Sequence, residues 1–259
     1  MTRDVADTVA GLVRESGRIL FITGAGISAD SGLPTYRGTG GLYNGRLTAS
    51  GLPIEEVLSG PMFERSPEVT WQYLLEIERH CRGAQPNAAH RAIAELEQDR
   101  AVTVLTQNID GLHRAAGSRN VIEIHGTLHR LCCLGCGAVT HVADFSGLAL
   151  PPACGACGRL VRPDVVLFGE MLPQRALFAL EQTLLGGLDL IVSVGTTSVF
   201  PYIAEPIHFG REYGIPTVEI NPDETCVSAA VEHVWRTGAA DAMTQVMERL
   251  RGMPLASSS

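Results

Sequence analysis

Residues 19–29 read Ile-Leu-Phe-Ile-Thr-Gly-Ala-Gly-Ile-Ser-Ala, an apolar run that ends in a glycine-rich turn. The run from Ile19 to Ile22 does not alternate with polar residues, so this strand is expected to be covered on both faces. Gly24-Ala25-Gly26-Ile27-Ser28-Ala29 then satisfies the G-x-G-x-x-G/A pattern of a dinucleotide-binding turn. Glycines there let the chain turn tightly and bring backbone N–H groups and a helix N-terminus up to a pyrophosphate with no side chain between. An ordinary glycine-rich turn from strand to helix has the same letters, and the pattern alone does not separate the two.

On either side the pattern is that of an α/β protein. Val5, Val9, Leu12 and Val13 fall at helical spacing and predict a helix over 4–16. Further apolar runs at 102–105, 121–124, 190–194 and 217–220 predict strands, and 87–98 and 174–185 read as helices between them. Apolar strands alternating with helices imply a Rossmann-like parallel sheet with helices on both faces. Two stretches interrupt the alternation, so residues 1–37, 85–127 and 164–251 are expected to build the nucleotide-binding domain. A helical insertion, 38–84, and a cysteine-bearing insertion, 128–163, should form a smaller zinc-binding and helical domain, leaving 252–259 as a tail. A standard dehydrogenase would place an acidic residue about 20 residues beyond the loop, at the end of its second strand. The next convincing strand begins only near Ala101, which disfavours hydride-transfer chemistry of that geometry.

Composition narrows the partners. The 259 residues are 45% hydrophobic, enough for a substantial core, and carry a net charge of −8. No lysine and arginine cluster is present, which argues against a nucleic-acid partner. No stretch approaches the roughly 20 apolar residues of a membrane span, and the N-terminus has no secretory pattern, so a cytoplasmic protein is expected. The acidic surface suits basic, lysine-bearing protein substrates, and a monomer or weak oligomer is expected.

Cys133-Leu134-Gly135-Cys136 and Cys154-Gly155-Ala156-Cys157 form two C-x-x-C knuckles. Residues 137–153 separate them, within the roughly 15–20 residues typical of zinc knuckles. Four thiolates leave no open coordination position, so the expected metal is one structural zinc. Cys132 adjoins the first knuckle and is an alternative ligand; Cys81 and Cys226 are read as ordinary thiols.

The turn after the first strand continues to Gly38 as Gly24-Ala25-Gly26-Ile27-Ser28-Ala29-Asp30-Ser31-Gly32-Leu33-Pro34-Thr35-Tyr36-Arg37-Gly38, and at this length it resembles the sirtuin signature. Four further segments resemble that family in the same order: Thr106 to His113, Glu123 to Gly126, Arg162 to Glu170, and Gly195 to Ser198. With Ile220-Asn221-Pro222 the resemblance spans roughly residues 17–250. It implies an NAD-dependent protein-lysine deacetylase, which transfers the acyl group of acyl-lysine to ADP-ribose and releases nicotinamide. Where many members of the family carry Phe, this chain has Tyr36, which keeps the aromatic ring thought to shield the reacting sugar carbon.

The resemblance also implies roles. His125 is the base for a ribose hydroxyl, a task suited to an imidazole that titrates near neutrality. Read without its neighbours, it is more readily a hydrogen-bonded core or strand-end histidine. Asn108 and Asp110 hold the carboxamide end of NAD and a nearby water, and Ile109 lies between them. Gln107 contacts the ribose, and Arg37 fixes the loop near the phosphates. Gly24, Ala25, Gly26, Ile27, Asp30 and Tyr36 belong to the nucleotide loop. Gly195, Thr196, Thr197 and Ser198 bind phosphate and ribose, with Asn221, Pro222, Asp223 and Ala240 at the adenosine end. Val166, Phe168 and Gly169 pair with the substrate backbone as an added strand.

Family members that prefer succinyl- or malonyl-lysine tend to carry a Tyr-x-x-Arg pair on a helix of the first insertion. The corresponding positions here are Leu74 and Ile77; a shift of one residue brings in Tyr73 and Glu76, still without an arginine. An unpaired carboxylate would be costly to bury there, so acetyl or a longer neutral acyl group is favoured. Mono-ADP-ribosyl transfer to protein and a non-catalytic NAD or ADP-ribose sensor are the other function classes compatible with these residues.

Overall fold

A computed structural model describes residues 4–35, 48 and 51–252. Tyr36 and Arg37 lie outside the described residues. The chain opens with helix α1 (Val5–Glu15), strand β1 (Arg18–Thr23) and a short 3-10 turn (Ala25–Ser31). Helices α2 (Ile54–Val57), α3 (Gly60–Arg65), α4 (Pro67–Cys81) and α5 (Ala88–Leu96) lead to β2 (Ala101–Thr106), α6 (Leu112–Ala115) and β3 (Val121–Glu123). Next come β4 (Gly126–Cys133), β5 (Val139–His141) and β6 (Val161–Val165). The chain ends through α7 (Gln174–Leu185), β7 (Leu190–Val194), α8 (Pro201–Tyr213), β8 (Thr217–Ile220), β9 (His233–Trp235) and α9 (Ala239–Gly252).

Strands β3-β2-β1-β7-β8-β9 form a six-stranded sheet in that order, and every pairing in it is parallel. The order reverses between β1 and β7, which makes their carboxyl ends a topological switch point, where crevices form in open α/β sheets. β1 shows why its sequence is apolar throughout. Ile19 and Phe21 pack into a core with α1, α5 and α9, while Leu20 and Ile22 face the opposite core with α7 and α8. Side chains alternate across a strand, so a strand buried on both sides needs apolar residues at every position.

The expected helices and strands are present to within a residue or two at their ends. The helix read over 87–98 covers 88–96, started by Asn87, whose side chain accepts from the N–H groups of Ala89 and His90. β9 has no counterpart in the sequence reading; His-Val-Trp is too short to show a period. The anticipated helix after the glycine turn is a 3-10 turn, closed by Gly32 in the left-handed conformation.

A second layer is an antiparallel sheet of order β5-β4-β6. Its Leu128, Leu131 and Val165 share one apolar core with Trp71, Leu74 and Ile77 of α4 and with Phe145. Trp71 ties the layers of this unit together, donating from its indole to the Val161 carbonyl at 3.1 Å and meeting Phe145 edge-on. No described helix is long and apolar enough to cross a membrane.

Candidate active site

The turns after β1 and β7 meet at the switch point with no side chain between them. Gly26 donates its backbone N–H to the Gly195 carbonyl at 2.8 Å. A Cβ on Gly26 would lie 2.7 Å from that oxygen, and Gly195 adopts φ +60°, so both positions require glycine. Beside this contact opens a cavity of about 660 Å³, within the ordinary range for small-molecule sites.

Most of the anticipated residues line it. One end is built from Gly24, Ala25, Gly26 and Asp30, with Gly195, Thr196, Thr197, Asn221, Pro222 and Asp223. The middle holds Gln107, Asn108, Ile109 and His125, and the far end Leu74, Ile77, Val166, Phe168 and Gly169. Four anticipated residues sit elsewhere. Ile27 is fully buried in the core beneath the sheet, because the 3-10 turn points it inward. Asp110 lines a small adjoining pocket with Ala25, Ser28 and Asn108. Ser198 is buried, in a left-handed backbone conformation unusual for a non-glycine residue (φ 52°), and is not among the lining residues. Gly238 and Ala239 reach the cavity where Ala240 was expected, since α9 begins at Ala239 and Ala240 is already turned away.

Residues not anticipated complete the wall, among them Ile54 and Leu58 from the first insertion, Val165 and Leu167, and Phe200 and Tyr202 at the start of α8. The aromatic pair straddling Pro201 was visible in the sequence, because proline at the first helical position marks a helix start facing the strand ends.

The polar centre is a network tied to the strand ends. Asn108 donates to the Gly24 carbonyl at 3.1 Å, and Gln107 to Thr196 Oγ1 at 2.7 Å. Asn221 donates to the Thr196 carbonyl at 3.1 Å. Asp110 accepts from the Ser28 hydroxyl at 2.8 Å and from the Leu112 N–H at 2.9 Å. Burial raises the Asp110 carboxyl above its ordinary range, and these donors partly offset the rise.

His125 Nδ1 lies 3.0 Å from the Gln107 carbonyl, and Nε2 lies 2.7 Å from the Tyr202 hydroxyl. A carbonyl only accepts, so Nδ1 carries the proton and Nε2 presents its lone pair to the Tyr202 hydroxyl at the cavity wall. Burial lowers the imidazole's pKa, and the bond to Gln107 works against it. The ring is therefore neutral at pH 7, the state that a base requires.

The backbone on the far side is tied to its neighbours within the chain. Val166 donates to the His125 carbonyl at 2.9 Å, and Phe168 to Leu58 at 2.9 Å. Glu170 anchors the segment, taking both Arg162 guanidinium nitrogens at 2.6 and 2.9 Å and the Leu167 N–H at 2.9 Å. Among the described residues no lysine or arginine lines the cavity; Asp30, Glu55, Glu170, Asp223 and Glu224 do.

Away from the cavity, the sulfurs of Cys133, Cys136, Cys154 and Cys157 all lie within 4.8 Å of one another. Tetrahedral thiolate ligation at about 2.3 Å separates sulfurs by roughly 3.8 Å. The Cys133–Cys157 and Cys136–Cys154 distances are 3.4 and 3.8 Å, so the four fit zinc. N–H groups of Cys136 and Gly135 point at Cys133 Sγ and favour its thiolate. Cys132 is not part of the group: adjacent strand residues face opposite sides, and Cys133 has the inward place.

The family model described as Sir2 family matches residues 24–201. The chain belongs to the Sir2 family. This Sir2 family member is 51% identical to the NAD-dependent protein deacylase 2 of Pseudomonas aeruginosa, over 94% of this chain and 96% of that protein. It is 37% identical to the NAD-dependent protein deacylase 1 of Archaeoglobus fulgidus, over 92% and 95% of the two chains. Among solved structures it resembles a Sir2 homolog–NAD complex with TM-score 0.84 and 36% identity, covering 95% of this chain and 93% of that one. A Sir2–p53 peptide–NAD+ structure matches with TM-score 0.80 and 31% identity, over 93% and 96%.

Proposed function

We propose that this chain is an NAD-dependent protein-lysine deacylase acting on acetyl-lysine or another neutral acyl-lysine. The observation that carries the reading is the neutral His125, with Nε2 facing a cavity that joins the glycine turns of the switch point to an apolar channel. Bound NAD would supply the electrophilic sugar carbon and the nicotinamide leaving group. The protein's part is positional. Gly24, Gly26 and Gly195 offer backbone to the phosphates, Gln107 meets the ribose, Asn221 lines the adenosine end, and Asn108 and Asp110 hold the carboxamide end. His125 Nε2 receives the proton of a ribose hydroxyl, freeing that oxygen to attack the acyl carbon.

The acyl-lysine lies along Val166, Phe168 and Gly169 as an added strand, its side chain between Leu74 and Ile77. The channel mouth has acidic neighbours and, among the described residues, no cation to meet a second carboxylate, which favours neutral acyl groups. Residues 38–84 and 128–163 act as one small domain, supported by their shared apolar core. Cys133, Cys136, Cys154 and Cys157 hold a structural zinc, leaving no coordination position for catalysis. The paired knuckles suit a reducing compartment, so we place the protein in the cytosol, as a monomer or weak oligomer.

Incubation with NAD and a panel of acetyl-, butyryl- and succinyl-lysine peptides tests the reading. The expected products are nicotinamide and O-acyl-ADP-ribose, with succinyl turned over at least tenfold less efficiently. ADP-ribosylated protein without peptide deacylation would overturn it in favour of ADP-ribosyl transfer, and NAD binding with no turnover would leave a sensor.

A further inference from the structure

Tyr202 has no role in the reaction outlined above, and the Sir2 family match ends one residue before it. Its position is nonetheless specific. Pro201 starts α8, and the first helical turn carries the Tyr202 ring over His125. Phe200 stacks against Tyr202 at 5.5 Å and 11°, and both rings meet the imidazole edge-on at 85°. The two aromatics restrict how far the phenol can swing, and its oxygen ends 2.7 Å from His125 Nε2.

The direction of this bond follows from the other side of the ring. Nδ1 gives its proton to the Gln107 carbonyl, so Nε2 has only a lone pair and Tyr202 must donate. The phenol stays protonated, since burial pushes it up to about 12. An imidazole nitrogen has one in-plane lone pair, so it accepts one good donor. Resting on the deacylase reading, a ribose hydroxyl that surrenders its proton to Nε2 must first take the place of the Tyr202 hydroxyl.

We infer that Tyr202 is a positioning residue for the base: in the free protein its hydroxyl occupies the His125 lone pair and holds the Nδ1–H tautomer, and on NAD binding a ribose hydroxyl replaces it there. No covalent bond changes in this exchange. One O–H donor leaves Nε2 and another arrives, so the imidazole is kept neutral and correctly turned until the hydroxyl it will deprotonate is present. A hydrogen bond to the neutral form disfavours protonation, which keeps the ring a base at lower pH in the free protein. Other ionisable groups around the cavity are Asp30 after β1, Glu55 on α2, Glu170 after β6, and Asp223 and Glu224 after β8. Burial lowers the ring's pKa and the bond to the Gln107 carbonyl raises it.

Tyr202→Phe removes one oxygen and keeps the stacked pair. In the free protein, nitrogen-resolved NMR should show the Nδ1–H tautomer at His125 in the wild type. In Tyr202→Phe the titration midpoint of that ring should rise by about 0.5–1 pH unit. The acid limb of kcat/KM for NAD, which reports the free enzyme, should move by the same amount, while the acid limb of kcat, which reports the complex, stays in place. An Nε2–H tautomer in the wild type, or identical His125 titrations in the two proteins, would overturn the inference. Equal shifts in kcat and kcat/KM would also overturn it, since Tyr202 would then remain on Nε2 in the complex. The NMR readings need neither turnover nor, for the tautomer, a folded variant; a protein with this His125–Tyr202 bond but no deacylase activity would refute the proposed reaction alone.

Discussion

Asn108 donates from Nδ2 to the Gly24 carbonyl at 3.1 Å, fastening the turn after β2 to the turn after β1. The same amide reaches Ser28 Oγ at 3.3 Å, and Ser28 passes the chain on to Asp110. Asn108→Ala strips the donor from two buried acceptors and should cost about 1–3 kcal/mol in denaturant unfolding. Calorimetry should also show NAD binding weakened by at least about tenfold. Undiminished NAD affinity in a folded Asn108→Ala protein would remove this residue from the cofactor site.

Gly26 and Gly195 set how closely the two central turns approach. Gly26→Ala places a Cβ 2.7 Å from the Gly195 oxygen and 2.8 Å from its Cα, both backbone atoms that cannot swing aside. Overpacking of this kind costs about 1–3 kcal/mol, and the phosphate cradle opens with it. The expected outcome is a folded protein of lower thermal midpoint with little affinity for ADP-ribose. Binding at the wild-type level would show that the contact is not needed for the cradle.

For the cysteine site, Cys154→Ser should release about one equivalent of zinc by metal analysis and melt the β5-β4-β6 layer at a lower temperature. The apolar cores on either face of the six-stranded sheet share no residue with the core of that layer, so the loss should be regional. Cys132→Ser, in contrast, should retain the metal. Zinc lost from Cys132→Ser and kept in Cys154→Ser would reverse the ligand assignment.

His113 on α6 and His90 on α5 meet edge-on with ring centroids 4.8 Å apart. Burial pushes His113 down to about 3 and His90 to about 4. Their folded values lie below the unfolded value near 6.5, so the unfolded chain binds more protons and stability falls as pH drops from about 6.5 toward those values. At pH 5 each ring accounts for about 2 kcal/mol of lost stability relative to pH 7. His113→Gln should therefore show a flatter dependence of the denaturation midpoint between pH 7 and 5 than the wild type. Equal slopes would mean that the imidazole is protonated in the folded protein.

Much of the architecture was legible because strands buried on both faces must be apolar at every position. Ile19–Ile22 and Leu190–Val194 therefore stand out as runs, whereas His233–Trp235, at the sheet edge with Val234 exposed, does not. The glycines of the switch point and the paired knuckles were equally readable. Their chemistry is local: a turn that admits a phosphate, or two thiolates three positions apart, is written in consecutive letters.

The sequence by itself determined the parallel sheet, the glycine turn, the zinc ligand set apart from Cys132, and the residues by which the chain resembles the Sir2 family. Only the tertiary structure decided that Ile27 belongs to the core, that Ala239 and not Ala240 reaches the cavity, and that Tyr202 stands on Nε2 of His125. The physical reason is range. Periodicity and turn chemistry act over a few residues, whereas the imidazole and the phenol are 77 positions apart and meet only because β3 ends and α8 begins at the carboxyl ends of strands in one parallel sheet.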